Sequence, residues 1–274
     1  MNEGFGTKDL MGNWDRLRGR IRESQGLCIL CDFDGTLVPL QSRPDLPSLG
    51  AADRLVLERL RDLGGLVVGV ISGRALEDLV PRVGLTDIWY VGNHGFEVQE
   101  PHGRIHRFYE PADASYLVRV NEELRKDLEG IPGVILENKG PVLAVHYREA
   151  ADSDVQGIER IFVRVLDRHR GRLMMTRGHA VLEARIRSGR NKGLAVRHLR
   201  YLLPLGTLLL YFGDDLTDHD AFRELQRIGV SVEVGGGESS LADYTVPDPK
   251  AVVECLGRIA DELQSRRTGN SDRP

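Results

Sequence analysis

The chain lacks most of what marks a secreted, membrane-bound or nucleic-acid-binding protein. Three cysteines in 274 residues cannot build a disulfide framework and suit a reducing compartment. No apolar run exceeds strand length, far short of a membrane span. The opening MNEGFGTKDL has no basic-then-apolar pattern of a secretory signal. Lys plus Arg is 37 against 41 for Asp plus Glu, so the formal net charge is −4. With no basic excess, neither nucleic acid nor an anionic membrane is expected as a partner. A cytoplasmic protein is the expectation. There is no internal repeat, and Gly235-Gly236-Gly237 lacks the strand–GxGxxG–helix context of a dinucleotide site, so it reads as a loop.

What is present is ordinary globular material, with 28% charged and 41% hydrophobic residues and length for one large domain or two modest ones. Cys28 and Cys31 make a C-x-x-C, which invites a metal or redox reading. They lie in a strand-like apolar run, where side chains three apart point to opposite faces. Only Cys255 remains, so no four-ligand set exists, and the cysteines read as core residues.

Along the chain, residues 1–25 read as a polar helical lead-in, followed by strand Leu27–Phe33. Helical spacing covers Ala51–Leu63, an apolar run covers Leu66–Ile71, a helix covers Ala75–Val80, and a short strand covers Trp89–Gly92. This alternation predicts a parallel sheet with crossovers. The rhythm then changes. A hairpin is expected over Phe96–Phe108 around His102-Gly103, then a helix through Leu117, Val120, Leu124 and Leu128 that ends at Gly130. Strands Val134–Glu137 and Val142–Arg148, a helix through Val155, Ile158, Phe162 and Val165, and strands Leu173–Thr176 and Ala180–Ile186 complete an inserted α+β unit. The domain reading is therefore 1–106 and 186–274 as core, with 107–185 as the insertion. The first pattern resumes with helix Lys192–Tyr201, strand Thr207–Phe212, a helix from Asp218 to Leu225 and strand Val230–Val234. Asp243–Pro249 reads as irregular, Val252–Leu263 as helical and SRRTGNSDRP as a frayed tail.

Two segments 182 positions apart carry the chemistry. Asp32-Phe33-Asp34-Gly35-Thr36-Leu37 closes one buried run and Gly213-Asp214-Asp215-Leu216-Thr217-Asp218 closes another. Open α/β sheets hold their ligands there, outside the carboxyl ends of the strands. Five aspartates in one crevice repel unless a cation joins them, and Mg²⁺ is the hard ion that suits carboxylate oxygens and phosphate. Asp32 is placed to attack phosphorus as a carboxylate nucleophile, and Asp34 to serve as general acid and base. Gly35 lets the backbone bend, and the Thr36 hydroxyl supports the loop. Asp214 is the candidate metal ligand beside Asp32, with the Asp34 backbone carbonyl completing the protein's share. Asp215 and Asp218 would orient waters around the ion, or Asp218 would only cap the following helix. Ser72 and Gly73 either hold phosphate oxygens or merely open a helix. Lys192, at a helix start, could neutralise the nucleophile and the transferring phosphoryl group, although a lone lysine on a helix is usually just solvated.

The order DxDGT, strand-Ser, Lys, GDDxxxD resembles the haloacid-dehalogenase (HAD) superfamily of aspartyl-phosphate phosphotransferases. That resemblance implies an α/β fold with a HAD-like Rossmannoid parallel-sheet core and an inserted α+β, C2-type cap domain over the site. It also supports phosphate-binding Ser72 and catalytic Lys192. A narrower resemblance spans nearly the whole chain: DFDGTLVPL, ISGR, GNHG, ENK…HYR, VLEAR, NKG and GDDLTDHDAF are similar to the trehalose-6-phosphate phosphatases. It implies Mg²⁺-dependent hydrolysis of trehalose 6-phosphate, with Glu137, Lys139 and Glu183 gripping glucose hydroxyls. His146 and Arg148 would reach the sugar or buttress that set, and Arg74 and His94 would line the core side of the cleft. The sequence departs from the family pattern at His219, where an acidic residue is common, and in Ala184-Arg185-Ile186-Arg187, which lacks the usual proline. Rival readings are a phosphatase for a glycosylglycerate or glycosylglycerol phosphate, a phosphosugar mutase, and a catalytically silent sugar-phosphate sensor. Oligomeric state stays open, and a monomer is compatible with all of them.

Overall fold

Short apolar runs that close on glycine or aspartate become strands, and the amphipathic segments between them become helices. In the computed structural model, which describes residues 8–178, 180–236 and 241–271, the chain forms two units. The first takes in Met1–Leu40, Pro47–Ile105 and Asn191–Pro274; the second takes in Gln41–Leu46 and His106–Arg190.

The first unit starts with β1 (Lys8–Asp9), α1 (Trp14–Glu23), β2 (Gly26–Cys31), α2 (Ala51–Asp62), β3 (Leu66–Ile71), α3 (Leu76–Val83), β4 (Trp89–Gly92) and β5 (Glu97–Gln99), with β6 (Ile105–Arg107) at the passage between units. The second unit runs α4 (Pro111–Asp127), β7 (Ile135–Asn138), β8 (Val142–His146), α5 (Asp152–Arg168), β9 (Leu173–Gly178) and β10 (Val181–Ile186). The chain then returns as α6 (Lys192–Leu202), β11 (Thr207–Gly213), α7 (His219–Leu225), β12 (Val230–Val234), β13 (Tyr244–Val246) and α8 (Pro249–Ser271).

The large sheet has the order β1-β13-β12-β11-β2-β3-β4-β5-β6, parallel from β1 to β4 and antiparallel between β4 and β5. From β2 the chain moves outward to β3 and β4, and it later re-enters on the other side of β2 as β11. This reversal is the topological switch point that leaves a crevice at the carboxyl ends of adjacent strands. Register aligns Cys31 with Phe212, and the Asp32 N–H donates to the Phe212 carbonyl at 2.8 Å. The two aspartate-bearing loops therefore leave the sheet side by side. One face of the sheet packs Leu17, Ile21, Leu57, Leu60, Val252 and Leu256 against Ile29, Cys31 and Leu210. Cys28 and Cys31 are both buried free thiols; Cys31 belongs to that cluster and Cys28 faces away from it. Burial pushes the Cys28 thiol up to about 12, as suits an inert core residue.

The second unit is a four-stranded antiparallel sheet, β7-β8-β10-β9, with α4 packed on β7 and β8 and α5 packed on β9 and β10. Leu143, Val145, Leu182 and Ala184 alternate onto one face. A capping box between Glu110 and Asp113, with Pro111 in the first turn, starts α4.

Several expectations need correction. The lead-in is not only a polar helix: β1 pairs in parallel with β13, and Leu10, Leu17 and Ile21 are core residues (residues 1–7 lie outside the described chain). Asp243–Pro249 contains β13, a three-residue strand whose pairing with β1 and β12 comes from tertiary packing. The tail is helical to Ser271, and the rest of SRRTGNSDRP lies outside the described residues. Helix α3 runs past Val80, through an exposed Pro81, to Val83, and stops at Gly84, whose φ of 68° suits the left-handed cap. Strand β8 ends at His146, so Arg148 lies beyond it. His179, at the predicted turn between β9 and β10, and Gly237 of the glycine run lie outside the described residues.

Candidate active site

Three carboxylates meet at the ends of β2 and β11. Asp32, Asp214 and Asp218 each bring an oxygen within 4.8 Å of the others. Asp32 and Asp218 are buried, as is the one cation seen among them in the described residues: Lys192 Nζ lies 2.9 Å from Asp32 Oδ1 and 2.7 Å from Asp218 Oδ1. Helix α6 places that lysine. Asn191 caps the helix by accepting from Leu194 N at 2.8 Å, which leaves Lys192 as the first helical residue, turned inward. Burial lowers the affinity of Lys192 for its proton, but Asp218 and Asp32 outweigh it and raise the pKa.

One ammonium does not neutralise three carboxylates. Burial, followed by Asp218, carries the Asp214 carboxyl up to about 7. Burial also raises Asp32, reinforced by Asp218 and Asp214 and opposed by Lys192. Such a set suits a divalent cation, whose charge would replace the protons these raised values call for. Asp32 and Asp214 fit that task best, because both oxygens of Asp218 are already engaged. Oδ1 accepts from Lys192 and from Tyr211 Oη, at 2.5 Å for the phenol, and Oδ2 accepts from Asp215 N at 3.1 Å. Asp218 is therefore more than a cap for α7, and its side chain makes no capping hydrogen bond to that helix. Asp215 turns to Leu216 N at 2.7 Å, fixing a one-turn 3₁₀ segment over Leu216–Asp218.

Two small residues let the loops meet. Gly35 has a φ of 82°, and a Cβ there would lie 2.0 Å from Asp214 Oδ2. Thr36, fully buried, donates its hydroxyl to Asp214 Oδ1 at 3.1 Å, so it holds the opposite loop as well as its own.

The carboxylate of Asp34 turns away from the cluster. Arg74 grips it with Nε and Nη2 at 2.6 and 2.7 Å, and reaches Asp78 with Nη1 at 2.7 Å. The family resemblance puts Arg74 on the cleft as a substrate contact, and in the fold its guanidinium holds Asp34 and Asp78. Ser72, buried at the end of β3, accepts from Arg74 N at 3.2 Å and does not cap α3, whose N-cap is Ala75. Leu76 N donates instead to Glu97 Oε2 at 3.1 Å. Gly73 lies against the His94 ring, and a Cβ there would come within 2.5 Å of Nε2. His94 itself follows Asn93 with φ values of 56° and 48°, two consecutive left-handed residues without glycine's freedom. Hydrogen bonds from Asn93 N to Arg74 O and from His94 N to Ser72 O, at 2.7 and 2.9 Å, hold this turn beside the Ser72 loop.

The second unit gathers another cluster by register. Glu137 on β7, Ala144 on β8, Glu183 on β10 and Thr176 on β9 lie directly opposite one another, forming a row on one face. Ala144 leaves room between the two glutamates. Lys139 Nζ lies 3.7 Å from Glu137 Oε2 and 3.5 Å from Glu183 Oε1, and His146 Nε2 lies 2.9 Å from Glu137 Oε2. Arg148 donates to the Gln41 carbonyl. Arg185 and Thr176 were not foreseen. Arg185 Nη2 donates to Glu183 Oε2 at 3.0 Å and Thr176 Oγ1 at 3.2 Å. The period-two spacing from Glu183 could have identified Arg185; Thr176 required the register. Tyr211 was also missed, its signal being a lone polar atom in the apolar run Leu208–Phe212.

With this geometry in hand, comparison with known proteins is specific. The family model described as Trehalose-phosphatase matches residues 30–250. The trehalose-phosphate phosphatase of Mycobacterium marinum is 35% identical over 246 residues, covering 86% of this chain and 62% of that one. That of Mycolicibacterium paratuberculosis is 36% identical over 270 residues, covering 94% and 67%. The chain thus spans about two thirds of these relatives' length or slightly less. Among solved structures, the C-terminal domain of the C. albicans trehalose-6-phosphate phosphatase superposes with a TM-score of 0.83 at 25% identity, covering 93% of this chain and 98% of that chain. A haloacid dehalogenase-like hydrolase from Bacteroides thetaiotaomicron, at 15% identity and a TM-score of 0.61 over 86% of this chain and 100% of that chain, shares the fold.

Proposed function

The chain belongs to the trehalose-phosphatase family, and from that premise we propose that it hydrolyses trehalose 6-phosphate to trehalose and phosphate with Mg²⁺ as cofactor. The observation that carries this reading is the buried Lys192 ammonium shared by Asp32 and Asp218, beside a third carboxylate that it cannot neutralise. Asp32 and Asp214 would hold the ion, with the Asp34 backbone carbonyl. When bound, Mg²⁺ supplies charge stabilisation to the phosphoryl oxygens and screens the carboxylates from one another.

The remaining steps fall to the chain's own groups. Asp32 attacks phosphorus, forming a P–O bond as the bond to the sugar O6 breaks, and Asp34 gives its proton to O6. Water then attacks phosphorus, its proton passes to Asp34, and the carboxylate of Asp32 is restored. Lys192 neutralises charge at the nucleophile throughout. Asp34 starts from its pair with Arg74, so proton transfer requires that pair to open. Ser72 and the Gly73 amide are assigned to phosphate oxygens, with His94 bracing Gly73. Glu137, Lys139 and Glu183 are assigned to glucose hydroxyls, with His146 orienting Glu137. Arg148 is assigned to hold the 41–46 segment. Among the described residues no helix is long and apolar enough to cross a membrane. We place the reaction in the cytoplasm, where the free thiols Cys28, Cys31 and Cys255 stay reduced.

Phosphate release measured across a panel of sugar phosphates, with and without Mg²⁺, tests this reading. Trehalose 6-phosphate should be the preferred substrate, turnover should need the cation, and Asp32→Asn should abolish it while the fold persists. Substantial turnover by Asp32→Asn would overturn the assignment of the nucleophile, and a different preferred sugar would overturn that of the substrate.

A further inference from the structure

Tyr211 stands in the middle of β11, fully buried, in a run that is otherwise leucine and phenylalanine. A phenylalanine would fill the same space, and a buried phenol costs free energy unless its hydroxyl finds a partner. The hydroxyl donates to Asp218 Oδ1 at 2.5 Å, the same oxygen that accepts from Lys192 Nζ at 2.7 Å. The same ammonium lies 2.9 Å from Asp32 Oδ1. Four side chains thus form one continuous line, Tyr211–Asp218–Lys192–Asp32, that starts inside the sheet and ends at the nucleophile.

The three donors to Asp218 differ in what holds them. Asp215 N belongs to the short turn that Asp218 itself closes, and Lys192 sits on a flexible four-carbon stem at the first position of α6. Tyr211 alone is fixed by a strand paired on both sides, in register with Leu30 on β2 and Ser231 on β12. Its ring also packs edge-on against Phe222, with centroids 5.9 Å apart. The phenol is therefore the rigid reference against which the Asp218 carboxylate is set. A second donor on Oδ1 also shares the negative charge that would otherwise draw the ammonium toward Asp218 alone.

We propose that Tyr211 is a positioning residue for phosphoryl transfer: its hydroxyl anchors Asp218 so that Lys192 stays within reach of Asp32. This rests on the phosphatase reading and deepens it. The ring is fully buried inside the sheet, and its hydroxyl is engaged by Asp218. Its removal should slow the chemical step equally for every phosphomonoester and leave substrate binding alone.

Tyr211→Phe is the test, since it deletes one oxygen and keeps the ring. We expect kcat to fall about tenfold for trehalose 6-phosphate and for p-nitrophenyl phosphate alike, with KM within about twofold. In an Asp218→Asn background the same change should cost less than about twofold, because the line is already cut. A kcat within about twofold of wild type, or losses that multiply in the double variant, would overturn the proposal. A purely structural hydroxyl would lower the melting temperature and leave the kcat-to-KM split unmoved. Two measurements do not depend on turnover. The Lys192 ammonium resonance should shift in Tyr211→Phe, and in the wild type a slowly exchanging Tyr211 hydroxyl proton should show a through-space contact to the Lys192 ε-methylene. Absence of that contact would sink the idea even if the variant failed to fold. Absence of phosphate release by the wild type would sink the phosphatase reading instead.

Discussion

A carboxylate buried beside two others costs several kcal/mol unless something positive lies among them. Lys192 supplies one charge among three carboxylates, two of them buried and Asp214 partly so, and Asp214, driven up to about 7, carries the imbalance most plainly. Asp214→Asn should therefore melt higher than the wild type in metal-free buffer. The same variant should lose the stabilisation by Mg²⁺, which for a ligand at 100 times its Kd is about 2.7 kcal/mol. Thermal melts with and without Mg²⁺ check both, and a variant that keeps the full Mg²⁺ response would remove Asp214 from the ion. Asp78 gives the opposite sign of pH dependence. Burial acts to raise its pKa, but hydrogen bonds from Arg82 and Arg74 prevail and hold it below the ordinary range. A lowered native value stabilises the fold above the unfolded pKa of about 3.9, and that stability is lost as pH falls through the native value. Asp78→Asn should accordingly be less stable than the wild type at neutral pH, with the difference closing in acid. Denaturant titrations at pH 7 and below pH 4 measure it, and a difference that stays constant would contradict the pairing.

At the scale of elements, the loops after β2 and β11 approach so closely that only glycine fits at position 35. A Cβ at Gly35 would strike Asp214, and its φ of 82° disfavours any other residue. Gly35→Ala should cut turnover by about 100-fold or more, since an ångström-scale misplacement at a reacting centre has that effect. Its melting point and steady-state rate would show whether the loss is in the site or the fold, and near-wild-type turnover would mean that the loops have more room than the geometry allows. Helix α1 makes a different prediction. Leu17 is fully buried against the large sheet, so Leu17→Ala should destabilise by about 2–5 kcal/mol, measured by denaturant unfolding. A loss under about 1 kcal/mol would mean that α1 is a loosely docked lead-in. Strands β3, β4 and β12 were readable to the residue because apolar runs bounded by glycine, serine or asparagine specify them locally. Strands β1 and β13 were not, because two and three residues carry no period of their own and pair only once the sheet exists.

Across the whole molecule, the proposed reaction and the proposed selectivity draw on different units. The core aspartates and Lys192 lie in the first unit, and the Glu137–Lys139–Glu183 cluster lies in the second. Glu183→Gln keeps the shape and its neighbours' packing while removing the charge held by Arg185 and Lys139. Hydrolysis of trehalose 6-phosphate should fall about 100-fold and that of p-nitrophenyl phosphate less than about threefold, as expected when a site loses its partner for a substrate hydroxyl. Equal losses on the two substrates would contradict the sugar assignment.

The proposed class of chemistry is legible in the chain alone. Asp32, Asp34 and Asp214 stand where apolar runs end, and the rules of parallel sheets bring such ends to one edge whatever the side chains around them do. The sequence also marked Glu137, Lys139, His146 and Glu183, through spacing and family resemblance. What each group holds emerges only when the layers pack. Arg74 binds Asp34, Arg148 binds the Gln41 carbonyl, Tyr211 anchors Asp218, and Thr176 and Arg185 hold Glu183. The physical reason is register. Which side chains meet across strands and loops tens of residues apart depends on how packed layers align, and local periodicity carries no record of that alignment.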